Sequence, residues 1–492
     1  MDLDVYGGSS KTMTTLRHSA VRGVKWSAIS RAGRLGTQFI TTIILARLLS
    51  PEDFGLVGMA VIVIGFLGIF KDMGTSAAII QRERIDDSLI SSIFWVNIVF
   101  GLFVTFLLFA GASVIAWFYH ESRLTPLMRA LSFSFLLSGF GIVPNALMQR
   151  ALAFKKLAKI ELTAIISGSI VGIVLAFSGV GVWSLVIQSL TTAGLTTILL
   201  WLLGKWRPKL KFNWQEVKSI SGYSLNLTGF NLLNYLARNA DYLLIGRYLG
   251  ATALGLYTLA YQILLFPVQS ISAVIGRVMF PVYSKIQSDN KRFSRIYLDV
   301  ASTIALFTFP LMTGLFLLAK PFISVTLGPK WQQVALLIQI LAPVGAVQSI
   351  ATTVGLIYQA KGKTDWLFRW GIFSVSVIII AFIIGIQYGI VGVATAYGII
   401  IFMITYPNFA IPFRLIELQF TDLLQVLKIH ILNSAIMATA ILIVWRLLPP
   451  FISDSLLLAI LIPIGMLAYF TSVYYTNRSQ LTEILSQIKL LV

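Results

Sequence analysis

The chain has 492 residues, of which 57% are apolar and only 12% are charged, and its formal net charge is +19 at pH 7. Soluble globular proteins carry about 25% charged residues, so this composition, with a mean hydropathy of +0.85, indicates an integral membrane protein. The basic residues are scattered between apolar runs, whereas nucleic-acid-binding proteins cluster them on one face, so we expect no nucleic-acid partner. There is no cysteine, which excludes thiolate chemistry, and the three histidines lie far apart, which argues against a metal site.

Fourteen runs are long and apolar enough to cross a bilayer, since a helical span needs about 20 mostly apolar residues. The predicted spans are residues 24–48, 54–80, 88–117, 126–148, 158–178, 181–203, 217–248, 252–280, 293–318, 332–358, 366–387, 389–411, 424–447 and 455–475. Lys and Arg are enriched in alternate connections, as expected of cytoplasmic loops. This alternation predicts a multi-pass membrane protein with cytoplasmic N- and C-termini.

The connections between the predicted spans are short, and none is long enough to form a domain outside the membrane. We therefore expect a protein that is not an enzyme, with a membrane glycan polymerase or ligase as the alternative outside transport. The final segment, "SQLTEILSQIKLLV", places four apolar side chains on one helical face, which predicts an amphipathic tail on the inner membrane surface. These side chains are Leu481, Ile484, Leu485 and Ile488.

Two stretches repeat at an offset of 200 residues, "LARLLSPEDFGLV" from residue 45 and "IGRYLGATALGLY" from residue 245. The identical pairs are Arg47 and Arg247, Leu49 and Leu249, Gly55 and Gly255, and Leu56 and Leu256. "GVGVWS" (179–184) likewise resembles "GIVGVAT" (389–395). The repeat predicts an all-α fold of two six-helix lobes related by internal duplication, plus two C-terminal helices. The predicted boundaries are 1–204 for spans one to six, 205–412 for spans seven to twelve, and 413–492 for the last two spans and the tail.

Polar residues form a stripe along the first span of each predicted lobe. In the first span they recur at steps of four and three, which places them on one helical face: Ser27, Arg31, Arg34, Gln38 and Thr41. In the seventh span the stripe comprises Ser224, Thr228, Asn231, Asn234, Arg238 and Asp241. An arginine at mid-membrane costs about 2.5–3.5 kcal/mol, so we expect the two stripes to face each other across a water-accessible cavity.

The charges of this predicted cavity are Arg31, Arg34 and Arg238 against the single acid Asp241, which favours an anionic substrate. Arginine suits phosphate because its forked donors bind two oxygens at once. The predicted substrate-binding residues are Arg31, Arg34, Gln38, Asn231, Asn234 and Arg238. Two structural alternatives remain at this stage: Arg31 and Arg34 can extend to the inner interface, and Arg238 and Asp241 can form an ion pair without contacting substrate.

Three phrases, "LARLLSPEDFGLVGMA" (45–60), "DMGTSAAIIQRE" (72–83) and "GRVMFPVYSKIQ" (276–287), resemble a known family. It is the polysaccharide transporter branch of the multidrug/oligosaccharidyl-lipid/polysaccharide superfamily, and the chain is most similar to its Wzx-type O-antigen exporters. The resemblance implies a flippase of the bacterial inner membrane for exopolysaccharide, O-antigen or capsule biosynthesis. It would pass undecaprenyl-diphosphate-linked oligosaccharide units to the outer leaflet by alternating access of two lobes.

In relatives, the resemblance implies that basic residues in the central cavity hold the diphosphate–sugar head, and Arg31, Arg34 and Arg238 match by position. The resemblance is also compatible with two further partners, a polysaccharide polymerase and a chain-length regulator. No P-loop pattern occurs, so we expect no nucleotide cofactor, and either passive movement or H+ or Na+ coupling, with Asp241 as the candidate coupling residue. A multidrug and toxin exporter, which would favour carboxylates in its cavity, and a lipid II flippase are the alternative transporters.

Overall fold

A computed structural model describes residues 13–70, 75–82, 85–214, 235 and 238–476. The elements among these residues are α-helices and two short 3-10 turns, with no β-strand in the described part. The helices are α1 (Met13–Leu48), α2 (Pro51–Gly68), α3 (Thr75–Gln81), α4 (Asp87–Tyr119), α5 (Leu124–Arg150), α6 (Phe154–Phe177), α7 (Trp183–Leu203), α8 (Ala240–Lys285), α9 (Asn290–Thr326), α10 (Gln332–Ala351), α11 (Val354–Ala360), α12 (Thr364–Ile386), α13 (Gly389–Phe413), α14 (Phe420–Leu447) and α15 (Asp454–Thr476). The predicted all-α membrane fold is confirmed.

Within the described residues, 12 helical segments are long and apolar enough to cross a membrane. They coincide with the predicted spans two to six and eight to fourteen. The first predicted span corresponds to α1, which is not among the 12, and most of the seventh, residues 217–234, lies outside the described residues. The predicted total of fourteen spans therefore stays a prediction, as does the amphipathic tail, which also lies outside them.

The sequence "LSPE" separates α1 from α2. Pro51 is the first residue of α2, where its missing N–H is harmless and its fixed φ favours a helix start. The preceding residue caps the new helix, since the backbone N–H of Asp53 donates to Ser50 Oγ at 3.2 Å and the Ser50 N–H donates to Asp53 Oδ2 at 2.9 Å. This reciprocal capping box begins a second helix three residues after the end of the first.

Helix α8 is interrupted at Gly250, whose φ of 83° and ψ of −177° are non-helical. This region of backbone space is essentially restricted to glycine, because any β-carbon would clash with the neighbouring backbone. A single glycine therefore divides α8 into a short segment from Ala240 and a long one that ends at Lys285.

The chain forms two compact units, Met1–Gly255 and Leu256–Val492. In the first unit, α4 packs on α5, α5 on α7, α6 on α7, and α1 on α6. Ile90, Phe94, Val143 and Trp206 belong to an apolar cluster that joins α4, α5 and the segment after α7. The buried Asn97 side chain donates to Thr75 Oγ1 at 3.2 Å, which satisfies a polar group within the apolar packing.

In the second unit, α9 packs on α10, α14 and α15, while α12 packs on α13 and α10 on α13. The Tyr283 ring at the end of α8 stacks on Phe293 of α9, with ring centroids 4.5 Å apart. Deeper in α9, Ser302 Oγ lies 2.7 Å from His430 Nε2 of α14. The two C-terminal helices therefore pack directly on α9. The three predicted domain boundaries remain predictions, because grouping by contacts does not test internal duplication.

Candidate substrate-binding site

The side chains of the polar stripe of α1 are mostly exposed in its first part, which we call open, and buried in its last part, which we call closed. Arg34 and Gln38 are exposed and Arg31 is half-buried, whereas Thr41 is only 4% exposed. Leu45, one turn further on, is almost completely buried. Because residues four apart share one helical face, the exposed part of this face ends between Gln38 and Thr41.

The corresponding stripe before and within α8 closes in the same way. Arg238 is exposed, whereas Asp241 is only 6% exposed and Ile245 is fully buried. One carboxylate oxygen of Asp241, Oδ1, accepts a hydrogen bond from the Tyr242 N–H at 2.9 Å. The predicted site residues Asn231 and Asn234 lie outside the described residues.

The burial of the two repeated segments matches residue by residue. Residues 41–46 are buried at the first and the last two positions and half-buried at the three between, and residues 241–246 follow the same order. Before these segments, Gln38 and Arg238 are both exposed at equivalent positions. The two faces thus present an open polar part followed by a closed part, at the same register.

An adjoining side of α1 is fixed by contacts with α6. Ser30, which directly precedes Arg31 in the chain, donates from Oγ to Glu161 Oε2 at 2.7 Å. A β-carbon at Gly33 would lie 2.8 Å from the Leu162 side chain, so this glycine permits close approach of the two helices. Nearer the start of α1, the Lys155 ammonium lies over the Trp26 ring, 5.4 Å from its centroid. These contacts pack α1 on α6 along a side that adjoins the arginine stripe, because Ser30 lies four residues before Arg34.

Sequence reasoning missed Glu161 as part of this environment. Its carboxylate accepts a hydrogen bond from Ser30, which directly precedes Arg31 in the chain. The stripe pattern had indicated Asp241 as the single acid of this region. The signal available was an ionisable residue within an apolar run, which is a functional candidate by default in a membrane helix. Polarity alone, however, does not indicate which helix such a residue faces.

Tyr235 is a second contributor that the stripe did not indicate. Its hydroxyl donates to the Ile62 carbonyl of α2 at 2.9 Å, and a β-carbon at Gly65 would lie 2.2 Å from that hydroxyl. Tyr235 therefore fixes the chain just before Arg238 against α2, and Gly65 provides the space for its ring.

The two repeated glycines pack reciprocally at the closed part of the stripes. A β-carbon at Gly55 would lie 1.7 Å from the Ala251 carbonyl oxygen, and one at Gly255 would lie 1.8 Å from the Pro51 carbonyl oxygen. Residues 51 and 55 are thus paired with residues 255 and 251, so the contact obeys the same 200-residue offset as the sequence. Only glycine fits at either position, because the facing atoms are backbone.

Among the described residues, no hydrogen bond or ion pair joins Arg31, Arg34 or Gln38 to Arg238 or Asp241. Nor does the described part contain an ion pair between Arg238 and Asp241 themselves. The exposed arginines therefore have donors available for a ligand. The described residues also contain no group of three or more histidines or acidic side chains arranged to hold a metal ion.

Residues 44–336, more than half of the chain, match the profile of a family described as "Polysaccharide biosynthesis protein". The chain belongs to the polysaccharide biosynthesis protein family. "Lipopolysaccharide biosynthesis protein WzxC" of Escherichia coli (strain K12) is 29% identical over 78% of this chain and 78% of its own. "Teichuronic acid biosynthesis protein TuaB" of Bacillus subtilis (strain 168) is 30% identical over 73% of this chain and 74% of its own.

This membership confirms the resemblance to polysaccharide transporters that the sequence phrases indicated. A solved structure described as "Lipid II flippase MurJ, inward closed conformation" superposes with a TM-score of 0.72, covering 94% of this chain and 100% of its own, at 18% identity. At that identity the superposition establishes the fold alone. This member of the polysaccharide biosynthesis protein family thus shares the fold of that structure.

Proposed function

We propose that the protein is a flippase that moves undecaprenyl-diphosphate-linked oligosaccharide units across the bacterial inner membrane. Its family supports the substrate class, and the observation that carries the proposal is the pair of matching stripes. Arg34 and Gln38 are exposed on one stripe and Arg238 on the other, and both stripes close at residues 41 and 241. We infer that it acts as a transporter and not as an enzyme, with its termini in the cytoplasm.

The exposed arginines would receive the diphosphate of the substrate. Arg34 and Arg238 each offer a planar fork of donors, and a diphosphate offers oxygens spaced for two-point contact. Gln38, on the same face as Arg34, can donate to a phosphate oxygen or to a sugar hydroxyl. Arg31 is half-buried, so we assign it a smaller share of the binding.

Transport would proceed by alternating access, with the reciprocal glycine contact as the closed end of the cavity. Gly55 and Gly255 bring backbone against backbone, since a β-carbon on either would meet a carbonyl oxygen of the other segment. In this proposal the contact has two states, closed and open, because close packing gains energy only when both segments meet. The segments would separate when the head group leaves, and meet again as the empty transporter returns.

Asp241 is the candidate for coupling to a proton or sodium gradient. Its side chain is buried beside an exposed arginine position, and intramembrane carboxylates of this kind commonly form part of ion pathways. The test is to measure export by the Asp241→Asn variant under an imposed proton gradient and under an imposed sodium gradient. If export by this variant responds to both gradients as the wild type does, Asp241 has no coupling role.

The substrate proposal is tested by deleting the gene and following lipid-linked saccharides in the two membrane leaflets. We expect a saccharide intermediate to accumulate on the inner leaflet and wild-type protein to clear it. Arg34→Ala and Arg238→Ala should each lose charge-assisted hydrogen bonds of about 1.5–3 kcal/mol, which corresponds to roughly 10- to 150-fold weaker binding. Export should fall while the amount of protein in the membrane stays unchanged.

Arg446→Ala is the matched control, because Arg446 is also an exposed arginine near the end of a membrane helix, α14. Lysine at position 34 should restore part of the export, since it keeps the charge but loses the fork. Normal export by the double variant with Ala at both 34 and 238 would exclude this site. Unchanged saccharides after deletion, combined with greater sensitivity to cationic drugs, would favour the multidrug exporter.

A further inference from the structure

A strap of residues 205–214, which follows α7, is fixed along the first part of α4. The Lys209 N–H donates to Ser91 Oγ at 3.1 Å, and the Asn213 N–H donates to Ser92 Oγ at 2.9 Å. Trp95 Nε1 donates to the Lys209 carbonyl at 3.0 Å. Ser91 and Ser92 are completely buried by these contacts. The strap is therefore an ordered part of the first unit and not a free linker.

Between the strap and α4 runs an open groove of about 640 Å³. One wall is formed by Val96, Val99 and Phe103 of α4, and the other by Leu210, Phe212 and Trp214. Residues 96 to 103 cover about 10 Å along the helix axis, a length suited to part of an acyl chain.

The apolar side chains of the strap are largely exposed at the protein surface, which favours contact with lipid over contact with water. Leu210 is 92% exposed and Trp214 is 64% exposed, and the Phe212 and Trp214 rings are stacked with their centroids 6.3 Å apart. Exposed apolar groups in a basic segment, with tryptophan among them, are typical of chain that lies at the membrane–water interface. The sequence predicts that this end of α4 is cytoplasmic.

The charges of the strap distinguish Lys211 from its neighbours. Lys209 forms an ion pair with Asp87, and Arg207 donates to three backbone carbonyls, those of Trp201, Gly204 and Trp206. Lys211 lines the groove, and within the described part of the chain it forms no hydrogen bond or ion pair. Its ammonium is thus an available cation at the edge of an apolar groove.

We propose that this groove binds an anionic glycerophospholipid, with one acyl chain between α4 and the strap and the phosphate at Lys211. The chemistry of the groove matches both ends of such a lipid, since aromatic and aliphatic walls contact the chain and a lysine contacts the head group. A bound lipid would hold the strap at the inner leaflet.

The test is titration of the purified full-length protein with phosphatidylglycerol and with phosphatidylcholine, followed by native mass spectrometry. We expect one phosphatidylglycerol to bind more tightly than phosphatidylcholine. Lys211→Gln should weaken the binding of phosphatidylglycerol about fivefold, which is the effect of removing one basic residue near an anionic head group. Val99→Trp should abolish the tight binding by filling the groove while leaving Lys211 in place.

Each variant has a matched control elsewhere on the surface. Lys330→Gln removes an exposed lysine outside the groove, and Val114→Trp enlarges a valine on α4 that is 66% exposed but lies beyond the groove. Both controls should bind phosphatidylglycerol like the wild type. Equal binding of the two lipids, or unchanged binding by Val99→Trp, overturns the proposal. Displacement of phosphatidylglycerol by a stoichiometric amount of undecaprenyl diphosphate overturns it in favour of a substrate-tail site.

Discussion

The two copies of the repeated segment interrupt their helices at equivalent positions but by different chemistry. In the first copy, Ser50 and Pro51 end one helix and cap the next. In the second copy, Gly250 takes a φ of 83° in place of a capping box. Residues 50 and 250 are separated by the same 200-residue offset as the rest of the repeat. What the two copies share is thus the position of the break, since the φ of −90° at Ser50 and of 83° at Gly250 are different backbone conformations.

The reason for that shared position lies in the turn of helix that follows each break. The break redirects the chain so that residue 51 faces Gly255 and residue 251 faces Gly55. Backbone approaches backbone this closely because Gly55 and Gly255, one in each pair, carry no side chain. The glycines are identical in both copies because the contact is reciprocal. The breaks differ because a helix can be interrupted either by a cap followed by proline or by a glycine with a positive φ.

The copies differ in charge, which is relevant to function. Thr41 in the first copy corresponds to Asp241 in the second, and both are buried. A hydroxyl and a carboxylate at equivalent buried positions indicate that packing requires a small polar group, while only the second copy carries an acid. This asymmetry is what makes Asp241 a specific candidate for ion coupling.

The largest effect is expected from filling the reciprocal glycine contact. Gly55→Ala and Gly255→Ala would each place a β-carbon less than 2 Å from a carbonyl oxygen. Because backbone cannot rotate away as a side chain can, we expect each variant to lose about 2–3 kcal/mol of stability, the upper part of the usual range for overpacking. Thermal unfolding of the purified protein measures the loss.

The double variant sharpens this test. Gly55 and Gly255 share one contact, so the combined loss should be clearly less than the sum of the two single losses. Gly111→Ala is the control, since Gly111 is a helical glycine with nothing within 4 Å of an added β-carbon. Additive losses, or single losses as small as that of Gly111→Ala, would show that the two copies do not share the contact.

A smaller effect is expected at the two helix breaks. Gly250→Ala forces a β-carbon into a backbone region that costs about 1–3 kcal/mol, whereas Ser50→Ala removes a helix cap of about 1 kcal/mol. Unfolding measurements should therefore rank Gly250→Ala above Ser50→Ala. Ser50→Thr keeps the capping oxygen and Thr252→Ala changes an exposed neighbour of Gly250, and neither should change stability measurably. The reverse ranking would mean that the capping box, and not the glycine, determines the break.

The sequence predicted the parts of this molecule that depend on composition and period. Twelve predicted spans are confirmed because an apolar run has few alternatives to a membrane helix. The polar stripe of α1 was also visible, since its spacing is a property of one helix, whereas most of the second stripe lies outside the described residues. The closure of both stripes at residues 41 and 241 was not visible, because burial depends on which helix packs there.

Contacts between distant segments account for what the sequence did not predict. Glu161 binds Ser30 across 131 positions of sequence, and neither residue has a local signal for the other. The strap looked like an ordinary basic loop, yet its backbone hydrogen bonds reach back to Ser91 and Ser92 in α4. The identity of Gly55 and Gly255 was noticed as a repeat, but only the structure pairs each with the opposite copy.

The smallest expected effect concerns the turn after α4, which contacts both copies. Arg123 forms ion pairs with Glu52 of the first copy and with Glu121, while Arg247 of the second copy contacts His120 and lies over the Phe118 ring, 5.5 Å from its centroid. These groups lie at or near the surface, so Arg123→Ala should cost no more than about 1 kcal/mol.

Acidification gives an independent test of this turn. Hydrogen bonds from Arg123 lower the pKa of the Glu121 carboxyl below its ordinary value. A carboxyl with a lowered folded-state pKa contributes stability above its unfolded pKa and loses that contribution as the pH falls through the lowered value. The difference in stability between wild type and Arg123→Ala should therefore be largest near neutral pH and shrink in acid. A difference that is constant from neutral pH into acid would show that Arg123 acts through packing alone.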